Sequence, residues 1–395
     1  MISLKLPSVR KAVLILVSLL LATGSVRAIV VADYVTATNT PTGIWNVNWD
    51  YVYNYKVGSA VAVGSHWLLT AAHLADDAGV GTISVNGTNY YQREIIFHAA
   101  ANDPEHTNKA DLALVRFDKE FPGYYPLYTG TFPSTSKGKL NAVMVGYGVT
   151  GTVYSTYYTA AAYTDPSKGT KRWGSQRIDG TDTQNYDAGG GVTYNDGIEM
   201  MFSSADTLYE AGAGVYDSGG GTFVTNGGVW KLAGINTQLY GLNATNYNGI
   251  FAVSVPAYET WATNVMNPTG DLDGDGIPNY WEQRYGTTTG LVASANTDGD
   301  GFTNFQEYLA DTNPTNSASF FAIDSFVALA DQTVTFIGST ARQYQVFYTT
   351  NDLAATNLTW IAAHTNKIFG AGTNSFITVT NTDDKAFYRL KATLP

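Results

Sequence analysis

The chain has 395 residues, more than one hydrophobic core usually holds, so its length predicts two or three domains. Its composition, 44% hydrophobic and 14% charged, is that of a globular protein, and the abundance of Tyr, Thr, Val and Gly predicts mainly β structure. The formal net charge of -11 argues against nucleic acid as the main partner, and the absence of cysteine excludes disulfide bonds.

Residues 1–28 have the pattern of a secretory signal peptide. Lys5, Arg10 and Lys11 precede the apolar run "AVLILVSLLLA", and "SVRA" ends at Ala28. The apolar run is short for a bilayer span, which disfavours the alternative of an uncleaved anchor. We therefore expect a secreted or cell-envelope protein of bacterial type, without a transmembrane anchor after cleavage.

Residues 29–266 predict a run of short β-strands. Apolar stretches alternate there with turns rich in Gly, Asn and Asp, and the clearest strand candidates are "SAVAVGSHWLLTAA", "DLALVRF", "NAVMVGYG", "WKLAGINTQ" and "GIFAVSV". The stretch "PAYETWATNVM" then predicts a short amphipathic helix with Pro256 near its first turn. Tyr258, Trp261 and Val265 fall on one face of that helix.

Three short motifs in this region carry candidate catalytic residues. "LLTAAH" ends at His73, "DLALVRF" begins at Asp111, and "DSGGG" contains Ser218. A serine hydroxyl is a poor nucleophile until a base such as neutral imidazole takes its proton, and a carboxylate can orient that imidazole. A different nucleophile motif, G-x-S-x-G, is excluded because Tyr216 occupies its first glycine position.

Together the three motifs resemble the trypsin/chymotrypsin-like serine peptidase family, whose hallmarks are a "TAAH" histidine, a "DIAL"-type aspartate and a "GDSGG" serine in this order. "AIVVADY", "KLAGINTQ" and "GIFAVSVPAYETWA" resemble the family's mature start, its substrate-pairing strand, and its last strand with the C-terminal helix. The resemblance covers residues 29–266. It implies a double antiparallel β-barrel with the site in the cleft between the barrels.

The resemblance also implies a role for each candidate residue. His73 is expected to be the general base and acid, Asp111 to orient it, and Ser218 to attack a peptide carbonyl. The backbone N–H groups of Tyr216 and Ser218 would form the oxyanion hole. The family usually has glycine at the Tyr216 position, so a side chain there raises the alternative of an impaired peptidase fold used for adhesion or binding.

A count along the chain predicts the substrate pocket. The family places the base of the pocket six residues before the serine, which is Gly212 here. The other predicted pocket residues are Ala213, Thr237, Gln238, Leu239 and Gly249. Because no carboxylate lies at the base, we expect apolar rather than basic primary specificity. A two-residue slip of the count would instead bring Glu210 into the pocket.

The same resemblance implies an activation partner. In the family, a newly exposed amino group pairs with the aspartate that precedes the serine, and here that pair is Ile29 and Asp217. Signal cleavage after Ala28 would expose Ile29 directly. The alternative is that "IVVADY" is an ordinary first strand and that Asp217 pairs with a basic side chain or with water.

Residues 267–317 predict a calcium-binding linker with two loops. "DLDGDGIPNYWE" and "NTDGDGFTNFQE" both fit the D-x-D-x-D-G loop with a glutamate at its twelfth position. The predicted ligands are Asp271, Asp273, Asp275, Ile277, Asn279 and Glu282 in the first loop, and Asn296, Asp298, Asp300, Phe302, Asn304 and Glu307 in the second. The pair resembles EF-hand-like and thrombospondin type 3 repeats, which implies structural Ca²⁺ in a stiff spacer. A flexible acidic linker and a dockerin-like module are the alternatives.

Residues 318–395 predict a small C-terminal β-sandwich. Tyr344, Tyr348, Trp360 and Tyr388 are expected to be core and cross-strand packing residues, and a cell-surface or carbohydrate contact is a further option that no motif supports. The whole chain therefore predicts a signal peptide (1–28), a peptidase domain (29–266), a calcium linker (267–317) and a β domain (318–395). The predicted activity is a secreted serine endopeptidase that acts on proteins or peptides through an acyl-enzyme. A mainly structural surface protein is a third interpretation.

Overall fold

The computed structural model describes the chain in segments: residues 29–31, 37–77, 81–98, 109–133, 139–162, 164–187, 192–203, 206–243, 245–267, 270–285, 291–327, 332–351, 353–354, 357–363, 366–379 and 386–395. The predicted signal peptide, residues 1–28, lies outside them. Within these segments, no helix combines the length and the apolar character that a membrane crossing needs. The described chain is mainly β, which confirms the predicted fold class.

The first barrel-like sheet contains six antiparallel strands in the order β2-β3-β4-β7-β6-β5. These strands are β2 (Val52–Tyr55), β3 (Gly58–Gly64), β4 (Trp67–Thr70), β5 (Thr82–Val85), β6 (Thr88–Phe97) and β7 (Ala113–Phe117). The sheet curls back on itself, because β2 contacts β5 and the Tyr55 hydroxyl donates to Gln92 on β6 at 2.5 Å. The apolar sequence of β3 and β4 is buried along almost its full length, as a strand inside a closed sheet requires.

The second sheet has the order β11-β8-β15-β16-β17-β10-β9, and a hairpin of β12 and β13 joins it where β13 pairs with β17. A separate short pair, β1 with β14, lies beside it. The strands are β1 (Val30–Val31), β8 (Leu140–Gly146), β9 (Gly151–Val153), β10 (Tyr158–Ala160), β11 (Arg172–Ile178), β12 (Gly180–Asp187), β13 (Val192–Met201), β14 (Ala211–Gly212), β15 (Gly221–Asn226), β16 (Val229–Gly241) and β17 (Asn246–Ser254).

One continuous core joins the two sheets. Val61 and Leu114 of the first sheet belong to the same buried cluster as Phe223 and Phe251 of the second. Helix α1 (Ala72–Ala75) follows β4, and helix α2 (Val255–Met266) follows β17, where the sequence predicts a helix. The loops that leave these packed strands can therefore hold side chains in fixed positions.

The C-terminal residues form two small sheets around their own core, as the predicted sandwich requires. The strands are β18 (Ser325–Val327), β19 (Gln332–Ile337), β20 (Gln343–Thr349), β21 (Ile361–Ala362), β22 (Ile368–Phe369), β23 (Asn374–Val379) and β24 (Phe387–Thr393). Tyr344 is fully buried between the sheets, and Tyr348 faces Tyr388 across the β20–β24 pair. Trp360 lies under the Arg389 guanidinium, 4.4 Å from its ring centre. These aromatic residues pack as the sequence predicts.

The acidic segment packs against its neighbours and does not extend as a spacer. Its two helices are α3 (Asn279–Gln283) and α4 (Asn304–Ala310). Trp281 is fully buried within the core cluster of the first sheet. Arg284 forms ion pairs with Glu94 on β6 and with Asp311 after α4, and Arg342 of the C-terminal sandwich approaches the same Asp311 at 3.6 Å. The segment therefore connects the barrels to the sandwich through packing and charge.

Candidate active site

His73 and Asp111 meet at the ends of two neighbouring strands. β4 ends at Thr70 and pairs there with Ala113 at the start of β7, so the residues just outside this pair lie side by side. The His73 ring nitrogen Nδ1 lies 2.7 Å from Asp111 Oδ2, and the His73 backbone N–H donates to Asp111 Oδ1 at 2.9 Å. The two contacts fix both the imidazole and the carboxylate.

Asp111 is fully buried, and the β12–β13 hairpin supplies two of its contacts. Asn195 Oδ1 accepts the Asp111 backbone N–H at 2.7 Å, and the Tyr186 hydroxyl donates to Asp111 Oδ2 at 3.0 Å. A buried carboxylate needs such donors, because an unpaired buried charge is strongly destabilising. The sequence did not predict either contact.

Ser218 lies in the loop between β14 and β15, close to the helix that carries His73. Its carbonyl accepts the Ser59 N–H at 2.9 Å. A methyl group added at Gly58 would come within 2.8 Å of both the Ser218 carbonyl and the Leu74 side chain, so the serine loop and α1 meet around Gly58. Within the described part of the chain, no hydrogen bond joins the Ser218 hydroxyl to His73.

Tyr216 has a backbone conformation that favours glycine. Its φ is 72°, in the left-handed region that residues other than glycine rarely adopt. The preceding carbonyl, of Val215, accepts the Val149 N–H at 2.8 Å. Because C=O and N–H point in opposite directions across a trans peptide, the Tyr216 N–H points away from Val149. The Tyr216 ring lies under the Lys168 ammonium, 5.0 Å away.

Asp217 is fully buried and is held by backbone donors from three segments. The N–H groups of Gly214, Gly148 and Ile29 donate to its carboxylate at 2.7, 2.8 and 3.3 Å. Burial raises the pKa of Asp217 to about 7, and the three donors limit that rise. Ile29 is itself fully buried, and Val30 after it pairs with Gly212. The structure thus brings the predicted Ile29 and Asp217 together.

A cavity of about 270 Å³ opens beside Ser218. Residues 213–218, residues 236–239 and Tyr247 line it. Of the predicted pocket residues, Ala213, Thr237, Gln238 and Leu239 are therefore in the lining. Gly212 and Gly249 contact Tyr158 instead: a methyl group at Gly212 would come within 2.2 Å of the Tyr158 ring, and the Tyr158 hydroxyl donates to the Gly249 carbonyl at 3.4 Å.

The Glu210 side chain lies outside this cavity and is bonded to neighbouring residues of its own loop. Its carboxylate accepts the Thr207 hydroxyl at 2.6 Å and the Ser203 N–H at 3.2 Å. Burial raises its pKa to about 7. Glu210 does not line the cavity among the described residues, so the two-residue slip of the pocket count has no support here.

The carboxylates of the first acidic loop point toward one another. One oxygen from each of Asp271, Asp273 and Asp275 lies within 4.8 Å of the others. Gly276, which has a φ of 96°, makes the sharp turn before Ile277. The Asn279 side chain accepts the Leu272 N–H at 2.9 Å and so closes the loop.

The first loop also ends on a buried glutamate. Glu282 is fully buried, and its Oε2 has no hydrogen-bond donor within the described residues. Burial, followed by the charges of the nearby aspartates, raises its pKa to about 7. A divalent cation would supply the positive charge that this carboxylate lacks.

The second loop repeats the arrangement. Oxygens of Asp298, Asp300 and Glu307 lie within 4.8 Å of one another, and each of these carboxylates has one buried oxygen without a donor in the described segments. Gly301 has a φ of 103°, and Phe302 follows it. Asn296 accepts the Gly299 N–H, and Asn304 accepts the Thr297 N–H. Three orphaned carboxylate oxygens fit a hard cation with oxygen ligands, such as Ca²⁺.

Comparison with known proteins identifies the family of the chain. Residues 42–262, which include His73, Asp111 and Ser218, match the family model described as Trypsin. The chain belongs to the trypsin family. Residues 271–287 and 297–317 match the bacterial TSP3 repeat, which is typically calcium-binding. The chain therefore carries a serine protease domain followed by TSP3 repeats, as the sequence predicts.

Solved structures of proteases match the trypsin domain at low identity. The active form of the Rv3671c protease from M. tuberculosis matches with 13% identity and a TM-score of 0.34, over 51% of this chain and 70% of that chain. Neuropsin, a serine protease expressed in the limbic system of mouse brain, matches with 18% identity and a TM-score of 0.36, over 56% of this chain and 96% of that chain. No curated protein matches the chain.

In this trypsin-family chain, the contacts that the sequence did not predict come from residues without a motif. Tyr186 and Asn195 reach Asp111 from a hairpin that is 75 and 84 positions further along the chain. Tyr158 reaches Gly212 from the β9–β10 hairpin. The one available signal was that Tyr186 is the single aromatic residue of β12, and the two-residue period of a strand places it on one face without saying what lies there.

Proposed function

We propose that the chain is a secreted serine endopeptidase that hydrolyses peptide bonds through a triad of His73, Asp111 and Ser218. The observation that supports the proposal most directly is the pair of contacts between His73 and the buried Asp111, next to the Ser218 loop. The membership of the trypsin family and the TSP3 repeats, which are typical of extracellular proteins, support the activity and the location.

The mechanism follows from the roles of the three groups. Ser218 Oγ attacks the peptide carbonyl while His73 Nε2 takes the hydroxyl proton, and the imidazolium then gives that proton to the leaving amine. The acyl-enzyme that remains is cleaved by water, which His73 deprotonates in turn. Asp111 Oδ2 keeps Nδ1–H in place and stabilises the imidazolium.

The oxyanion hole is the most unusual part of the site. We propose that the backbone N–H groups of Tyr216 and Ser218 stabilise the negative charge that develops on the carbonyl oxygen of the substrate. The left-handed φ of Tyr216 and the Val215 carbonyl turned toward Val149 support this assignment, because they leave the Tyr216 N–H on the opposite side of the peptide. Each such donor is worth about 2.7–4 kcal/mol in the transition state.

The experiment that tests the proposed function is labelling of the purified protein with a fluorophosphonate probe, which reacts with an activated serine. Wild-type protein should be labelled at Ser218, and Ser218→Ala should not. Absence of labelling in folded wild-type protein would favour the alternative, a peptidase-fold protein used for adhesion or binding.

Hydrolysis should be lost as the pH falls, because protonation removes the base. Burial by itself lowers the pKa of His73, but the hydrogen bond and the charge of Asp111, with a smaller contribution from Asp77, outweigh burial and raise it. We therefore expect the acid limb of kcat/KM at an apparent pKa above about 6.5, with activity present above it and lost below it. His66→Asn, at a partly exposed histidine, is the matched control and should not move the limb. A limb well below pH 6 would contradict the assignment of His73.

Apolar side chains should fit the pocket better than basic ones. Asp217, the one acidic residue in the described lining of the cavity, and Glu210, the alternative acid of the pocket count, are both engaged by hydrogen bonds with other partners. A substrate Lys or Arg would therefore enter without a counter-charge, and burying an unpaired charge costs several kcal/mol. We expect peptides with an apolar residue before the scissile bond to have a kcat/KM about 100-fold or more above matched Arg or Lys peptides.

A peptide-library screen measures this preference, with Glu210→Gln as the control. The variant should keep the wild-type preference, because Glu210 does not line the cavity. A strong Arg preference that Glu210→Gln abolishes would show instead that Glu210 binds the basic side chain of the substrate.

We also propose that both TSP3 loops bind structural Ca²⁺. Isothermal titration should show about two ions per chain, one for each loop. Glu282→Gln and Glu307→Gln should each remove one of them, because each replaces the twelfth ligand of its own loop. Glu259→Gln, at an acid outside both loops, is the control.

Chelation should also raise the proteolytic sensitivity of residues 271–307 and lower the melting temperature, since Trp281 and Tyr308 of this segment pack on the first barrel. At a calcium concentration 100 times the Kd, the stabilisation lost is about 2.7 kcal/mol per site. No heat of binding in a folded sample would exclude calcium from these loops.

A further inference from the structure

The buried Asp111 carboxylate has a second side-chain donor besides His73. Its Oδ1 accepts the His73 backbone N–H, and its Oδ2 accepts both His73 Nδ1–H at 2.7 Å and the Tyr186 hydroxyl at 3.0 Å. Asp111 has no exposed surface, so water does not complete its hydrogen bonding from bulk solvent. Among the described residues, Tyr186 is the one side chain other than His73 that donates to this carboxylate.

Tyr186 is held in place by the hairpin that carries it. It faces Thr193 in the β12–β13 register, and the Thr193 hydroxyl donates to its carbonyl at 3.1 Å. Its ring meets the buried Phe251 edge to face, with ring centres 6.5 Å apart. The hydroxyl is therefore directed by packing and by backbone pairing together.

The same hairpin also forms hydrogen bonds with the backbone around Asp111. Asn195 Oδ1 accepts the Asp111 N–H, and the Asn195 amide donates to the Thr193 hydroxyl at 2.8 Å. The Tyr194 N–H donates to the Lys109 carbonyl at 2.8 Å, two residues before Asp111. The β12–β13 hairpin of the second sheet therefore bonds to both the main chain and the carboxylate of Asp111, which lies just before β7 of the first sheet.

We infer that Tyr186 is a positioning residue of the active site, whose phenol holds Asp111 in the orientation that serves His73. The inference rests on the proposed function. Without the phenol, Asp111 Oδ2 would keep only the His73 imidazole as a donor, while Oδ1 would still accept the His73 backbone N–H. Burial, together with the charge of Asp111, raises the pKa of Tyr186, so the phenol stays a donor throughout the working pH range.

Tyr186→Phe tests the inference, because it removes the hydroxyl and keeps the packed ring. A hydrogen bond to a charged group typically contributes enough to change a rate by about tenfold or more. We expect kcat to fall by about tenfold or more with little change in KM. We also expect the acid limb of the pH profile to move upward, because Asp111 becomes a stronger acceptor for His73. The charged groups that act on His73 are Asp111 and, more weakly, Asp77, and neither is changed.

Tyr124→Phe is the matched control, since the Tyr124 side chain is 52% exposed and lies outside the β12–β13 hairpin. It should keep the wild-type kcat, pH profile and fluorophosphonate labelling rate. Should Tyr186→Phe fail to fold, a fluorinated tyrosine at position 186 keeps the ring and makes the phenol a stronger donor. It should move the acid limb downward.

Two results would overturn the inference. One is a Tyr186→Phe enzyme, folded by thermal melting, with the wild-type kcat and pH profile. The other is a loss confined to KM or to the melting temperature, which would make Tyr186 a packing residue. A wild-type protein that neither hydrolyses peptides nor reacts with the probe would instead reject the proposed function, so the two failures are distinguishable.

Discussion

Replacing Ser218 by Ala should reduce kcat for peptide hydrolysis by about 10⁵-fold or more. In the proposed mechanism, the Ser218 hydroxyl oxygen forms the acyl bond, and a methyl group in its place cannot. Residual hydrolysis would come from substrate binding and the oxyanion donors alone, because triad members act as a unit. His73→Ala should lower kcat to a similar level, and the double variant should be little worse than either single one. Single-turnover kinetics with an apolar peptide substrate measures all three.

Ser65→Ala is the matched control, because this serine is exposed on the turn between β3 and β4. Its kcat should equal that of the wild type. Retention of wild-type turnover by Ser218→Ala would reject the triad, and additive losses in the double variant would show that the two residues do not act together.

Keeping one residue ahead of Ile29 should reduce kcat/KM by about 100-fold or more. Stranding a buried carboxylate typically costs about 3–5 kcal/mol. Asp217 is fully buried, and burial raises its pKa to about 7 even with three backbone N–H donors. Cleavage after Ala28 would turn the Ile29 N–H, already 3.3 Å from Asp217, into an ammonium that pairs with it. It would also release the left-handed φ of 44° that a β-branched residue holds only under strain. We propose that signal cleavage itself completes the enzyme.

The test compares a form that starts at Ile29 with one that keeps Ala28, both verified by mass. Asp217→Asn in each form completes a double-mutant cycle. Asp217→Asn should lower the activity of the form that starts at Ile29 and should change the extended form much less. If the extended form is as active as the other, the ammonium–Asp217 pair does not switch the enzyme on.

The β architecture and the chemistry-bearing motifs could be predicted from short stretches of sequence. The strands around "LLTAAH" and "DLALVRF" carry their apolar pattern locally, and the glycines at 276 and 301 mark the turns of the acidic loops. Each of these features depends on residues that are neighbours along the chain. For the same reason the helix that contains Pro256 and the tyrosines of the C-terminal sandwich could be assigned in advance.

The surroundings of the pocket could not be predicted in this way. Counting from Ser218 placed Gly212 at the pocket base, but Tyr158 from another hairpin covers that glycine and bonds to Gly249. The acidic segment was expected to be a stiff calcium-ordered spacer, yet Trp281 belongs to the core cluster of the barrels and Arg284 pairs with Glu94. In both cases the deciding partner lies far away in sequence and carries no motif.

The sequence by itself therefore determined the family, the order of the three motif-bearing loops, and the two calcium-type loops, because these depend on local residue types and spacings. Only the tertiary structure decided that Tyr186 and Asn195 reach Asp111, that the Val215 carbonyl turns toward Val149, and that Tyr158 covers Gly212. Those contacts depend on strand register and on how two sheets pack together. A one-residue change of register would point Tyr186 to the opposite face of its strand, so its role is a property of the fold and not of the residue.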